Sequence, residues 1–132
     1  MSKRADWQSR SLLDVPFCYC LVITEKAFKR ELRRLKVPPK SWPNYTNSSH
    51  ANATVHFFEK TGGADEFCIV TLRDWKRHTK TAILGVLVHE AVHIWQETRD
   101  RMGEHRPSVE FEAYAIQRIS QNLMHSFKEQ TK

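Results

Sequence analysis

The chain has 132 residues and a mass of 15.5 kDa, with 40% hydrophobic and 27% charged residues, which predicts a single folded domain over 1–132 with a core of its own. Its net charge is +6, basic but below the density of a nucleic-acid coat. The apolar-rich run Ile83–Val88 is far too short to cross a bilayer, and Met1–Gln8 lacks the apolar stretch of a secretory signal, so a cytoplasmic location is expected.

Residues 1–14 are expected to form a mobile segment ahead of the first element. Pro16–Ile23 is rich in aromatic and β-branched residues and predicts a strand. It carries Cys18 and Cys20; with Cys68 these make an odd set of three, read as reduced thiols rather than a disulfide framework. Thr24 then caps a helix with Phe28, Leu32 and Leu35 on one face, ending before Pro38-Pro39. Pro38–Ala51 reads as a long loop. Ala53–Glu59 and Glu66–Leu72 predict two strands joined at the turn Thr61–Asp65, a β-hairpin. Lys80–Thr98 is apolar over a wide arc and predicts a largely buried helix. Arg99–Pro107 is a polar connection, and Ser108 caps a last helix running to Phe127. The order β-α-β-β-α-α predicts an α+β fold: a small, partly antiparallel sheet with helices against it.

Within the buried helix stands His89-Glu90-Ala91-Val92-His93, a match to H-E-x-x-H. This composition yields about 0.03 such matches by chance. Residues four apart on a helix lie roughly 40° apart around the axis, so the two imidazoles can share one metal ion. Glu90, beside them, can take a proton from water at that metal. Zinc suits such donors, with one position left for water. The alternative is a pair of core histidines satisfied by hydrogen bonds.

A third ligand is needed. Glu110 and Glu112 point to opposite sides of the last helix; Glu112 shares the apolar face of Ile116, Ile119 and Leu123 and is the expected ligand. Its alternative role is an ion pair with an arginine. His105, in the connection, is the rival ligand. The metzincin pattern is excluded, because Gln96 and Arg99 stand where it requires glycine and histidine. Tyr114, His105 and Arg106 are candidate oxyanion donors, and Gln96, Glu97 and Asp100 candidate supports for the histidines. His50, His56, His78 and His125 are read as structural or solvated.

His89-Glu90-x-x-His93 followed by Glu112-Ala113-Tyr114-Ala115 resembles the gluzincin branch of the zinc metallopeptidases. The stretch from Gly103 to Gln117 also looks like that of small phage or prophage proteins with a minimal zincin core. The resemblance covers roughly Leu84–Ser120. It implies a zincin-like domain, with the hairpin beside the active-site helix and an edge strand able to hold an extended substrate. It further implies Zn²⁺ on His89, His93 and Glu112, Glu90 as general base, and a peptide or protein substrate; Tyr114 beside Glu112 is the catalytic candidate on that helix from its position alone. A three-histidine site using His105 would instead resemble the SprT-like DNA-repair proteases. Two other functions stay open: a zincin-fold binding module that cleaves nothing, and a basic DNA-associated protein. The latter rests on helix 24–36, which carries Lys26, Lys29, Arg30, Arg33, Arg34 and Lys36.

Overall fold

Side-chain alternation decides which way each strand faces, and the helices follow from it. The computed structural model describes residues 4–8, 17–48, 51–59 and 66–132. It contains β1 (Cys18–Val22), α1 (Glu25–Arg34), β2 (Ala53–Phe58), β3 (Phe67–Leu72), α2 (Lys80–Met102) and α3 (Val109–Gln130), with short 3₁₀ turns at Pro39–Ser41 and Trp75–Arg77. The sheet order is β1-β3-β2, with β1 parallel and β2 antiparallel to β3. The fold is thus α+β with a small mixed sheet, as expected. The expected turn Thr61–Asp65 and His50 lie outside the described residues, as does most of segment 1–14.

β3 is central and buried along its whole length. Its Cys68, Val70 and Leu72 join Tyr19 and Leu21 of β1 and Val55 and Phe57 of β2 on one face, under α2 and α3. Its Phe67 and Ile69 join Cys20 and Val22 on the other face, under Phe28 and Leu32 of α1. The sheet therefore lies between α1 and the α2–α3 pair. α2 packs over the edge strand β2 and α3 over β1. All three cysteines are free thiols, and burial holds those of Cys20 and Cys68 well above the usual range.

The caps expected at Thr24 and Ser108 are in place, and Thr79 caps α2 as well. Thr24, Thr79 and Ser108 accept from the N–H groups of Ala27, Ala82 and Phe111 at 3.1, 3.1 and 3.4 Å. α2 runs one turn beyond Thr98. It stops at Gly103, whose φ of 70° lets its N–H reach Asp100 O at 3.1 Å while Glu104 N–H reaches Arg99 O at 3.1 Å. Arg99 and Arg101 suit the negative end of the helix dipole there. Arg101 also ties the helix to the hairpin through Glu59 and Glu66, while pairing with Glu97 one turn back on its own helix. The long loop before β2 is pinned rather than free. Tyr45 O accepts from Thr71 Oγ1 at 2.7 Å and from His56 Nε2 at 2.9 Å, and Tyr45 Oη donates to Leu72 O.

Glu31 is a fully buried carboxylate in an otherwise basic helix. It accepts from Arg34 Nη2 at 2.8 Å, Trp7 Nε1 at 2.9 Å, Arg34 Nε at 3.1 Å and Ala5 N–H at 3.2 Å. Burial works against its charge, but these donors outweigh burial and hold its carboxyl below the ordinary range. Residues 4–8 are further held by a bridge between Gln8 and Tyr19. Glu31→Ala strands three donor groups and should cost about 3 kcal/mol in chemical denaturation. A loss under about 1 kcal/mol would show that water replaces the carboxylate there.

Candidate functional site

α2 divides its circumference between two environments. Ile83, Leu87, Ala91, Ile94 and Trp95 are buried in the core, while His89, His93 and Gln96 lie on the opposite, open arc. That arc faces a cleft of about 480 Å³ whose other wall includes Ala53, Val55 and Phe57 of β2 with Asn47 and Ala51 of the preceding loop. Among the described residues β2 pairs only with β3, so its outer backbone edge borders the cleft unpaired.

The two imidazoles converge. Nε2 of His89 and Nε2 of His93 are 3.1 Å apart. The two rings are at hydrogen-bond distance; two nitrogens on one tetrahedral zinc, each about 2.0–2.1 Å from it, would stand about 3.3 Å apart, so the same spacing also suits a shared ion. Nδ1 of His93 lies 3.1 Å from Gln96 Oε1. As a donor to that oxygen it leaves Nε2 free to offer a lone pair, the support expected of Gln96.

Glu90 sits beside them, only 6% exposed, and lines the cleft. Burial raises its carboxyl above the ordinary range, and the nearby His89 and His93 only partly offset this. Glu97 and Asp100 also line the cleft; among the described residues no lysine or arginine does.

Glu112 does not join this group. α3 packs on the arc of α2 that carries Trp95, some 200° around from His93. There Glu112 Oε2 accepts from Trp95 Nε1 at 2.7 Å and lies 4.0 Å from Arg99 Nη1. Its place on the inward face of α3 is as expected, but an indole takes the carboxylate. Among the described residues no group of three or more His, Cys, Asp or Glu side chains is arranged to hold a metal ion. Among the described residues the donor set thus offers two imidazoles, with no third protein ligand beside them. Tyr114 is 66% exposed and lies with Phe111, Gln117, Arg118 and Gln121 in a depression on α3, outside the cleft. His105 and Arg106 are exposed at the corner after α2 and do not line the cleft either.

No protein-family model, curated protein or solved structure matches the chain. No helix among the described residues is long and apolar enough to cross a membrane.

Two stability measurements on metal-free protein follow from these contacts. Glu112→Ala leaves a buried indole N–H without its acceptor and should cost about 1 kcal/mol, with Glu112→Gln costing less; equal stability of all three proteins would remove the indole contact as the role of Glu112. For Glu90, the folded carboxyl keeps its proton to a higher pH than the unfolded one. The contribution of Glu90 to stability is therefore fullest at low pH and is lost as pH rises from the ordinary carboxylate range through the raised folded value. Glu90→Gln should abolish that fall and raise the neutral-pH melting temperature by a few degrees. An unchanged pH profile would show that burial does not disturb this carboxyl.

Proposed function

We propose that this protein is a zinc-dependent peptide hydrolase whose ion is held by His89 and His93, with Glu90 as general base. The observation that supports this most is the 3.1 Å approach of the two Nε2 atoms on the open arc of α2, beside a buried carboxylate and an unpaired strand edge. A purely structural zinc site is closed by four protein ligands and needs no such base.

In this reading the chain's own groups divide the work. The outer edge of β2 offers backbone N–H and C=O groups to an extended peptide, and Ala53, Val55 and Phe57 supply the wall beside it. Zinc, when bound, supplies the Lewis acidity that activates water and polarises a carbonyl. Glu90 takes the proton of the attacking water and returns it to the leaving amine. Gln96 fixes the His93 ring. Glu112, the third ligand implied by the gluzincin resemblance, would have to exchange its indole partner for the ion, and His105 is the alternative.

Metal content by mass spectrometry, paired with cleavage of a peptide library, tests this. The expected result is one equivalent of zinc in the wild type, its loss in His93→Ala, and zinc retained but turnover abolished in Glu90→Gln. Zinc lost in Glu112→Ala would make Glu112 the third ligand; zinc lost in His105→Ala but kept in Glu112→Ala would make the site a three-histidine one. No zinc after reconstitution, or full activity in Glu90→Gln, would overturn the proposal.

A further inference from the structure

The net charge is concentrated in one stretch. Residues 25–41 hold seven lysines and arginines against Glu25 and Glu31, a net +5 of the chain's +6. Glu31 is buried and spent on Arg34. Lys26, Lys29, Arg30 and Arg33 follow the spacing i, i+3, i+4, i+7, so they form one stripe along the outer side of α1. At 1.5 Å per residue the stripe is about 10 Å long. Lys29 pairs with Glu25 at 3.0 Å, but Lys26, Arg30 and Arg33 have no carboxylate partner among the described residues. The Nε of Arg30 is buried without a hydrogen bond.

Beside Lys29 the stripe opens into a second cleft, of about 470 Å³, lined by Phe28, Trp42, Asn44, Tyr45 and Arg73 among others. Arg33 lies over the Trp42 ring, 5.5 Å from its centre, and Trp42 Nε1 is fixed on Val37 O at 2.8 Å. A row of cations leading to a fixed indole in an open cleft is the pairing that binds a single nucleic-acid strand: cations follow the phosphates and a base stacks on the ring. Duplex bases are already stacked and cannot enter such a cleft. A lipid surface fits less well. α1 turns its apolar face into the core, and among the described residues the exposed large hydrophobics, Val88, Met102, Val109 and Tyr114, all belong to α2 and α3.

We infer that the α1 stripe and the Trp42 cleft form a binding site for single-stranded nucleic acid, on the sheet face opposite α2 and independent of the metal reading. Fluorescence anisotropy with a labelled 20-mer of thymidylate, with the full chain, tests it. Four phosphate contacts at a slope of about −0.7 each predict roughly 50-fold weaker binding between 50 and 200 mM salt. Lys26→Ala/Arg30→Ala/Arg33→Ala, checked for an unchanged melting temperature, keeps one contact and should bind more weakly at 50 mM while losing only about 3-fold over that range. Trp42→Phe should abolish quenching of indole fluorescence on binding, and His89→Ala/His93→Ala should bind like the wild type. The inference is overturned by no binding at 50 mM salt, by an unchanged salt slope in the triple variant, or by quenching that persists in Trp42→Phe. It is also overturned by loss of binding in the histidine variant, or by tighter binding to a 20-base-pair duplex or to phosphatidylglycerol vesicles than to the single strand.

Discussion

Everything about the candidate site depends on how α2 is clamped. One arc of this helix is locked under α3 by Ala91, Ile94 and Trp95, and another lies over the edge strand β2. With both contacts fixed the helix cannot roll about its axis. The histidine arc is then forced to look past the edge of the sheet into the open. Two imidazoles on a freely rotating helix would be ordinary solvated side chains. Here their direction is set by apolar packing on the far side of the same helix, and Glu90, between the two arcs, is buried by the same clamp.

The clamp also explains which parts of the site were legible in the sequence. The spacing of His89 and His93 encodes their convergence directly, because it is a property of one helix. Glu112 needed two helices. Its inward position followed from its phase with Ile116, Ile119 and Leu123, but what it would meet depended on the arc of α2 that α3 covers. A signal for the answer was present: Trp95 is two residues, some 200°, beyond His93, and a buried indole N–H needs an acceptor. A carboxylate facing α2 could serve the imidazoles or the indole, and the packing gives it to the indole. Caps and strands were readable for the same reason as the histidine pair, being local. The Glu31 cluster was not, because Ala5 and Trp7 stand 24 and more residues away from it and helical phase cannot select such distant partners.

The sheet separates two surfaces of different electrostatic character. The stretch 25–41 on the α1 side carries a net +5 of the chain's +6, whereas among the described residues the cleft by α2 is lined by Glu90, Glu97 and Asp100 without a lysine or arginine. A cationic segment would be drawn to the second surface and a polyanion to the first, and each attraction would weaken with salt. The two clefts meet at the loop before β2, whose Thr46 and Ser48 line the α1 cleft and whose Asn47 lines the α2 cleft.

The open side of β2 has a cost of its own. An edge strand with unpaired N–H and C=O groups accepts any extended segment, including the same strand of a second molecule. β2 carries Val55 and Phe57 on one face, has no proline or lysine within Ala53–Phe58, and so lacks the usual guards against edge-to-edge pairing. In concentrated solution this strand is where copies of the chain would begin to zip together, and a lysine placed on its outer edge would improve solubility at the expense of the groove.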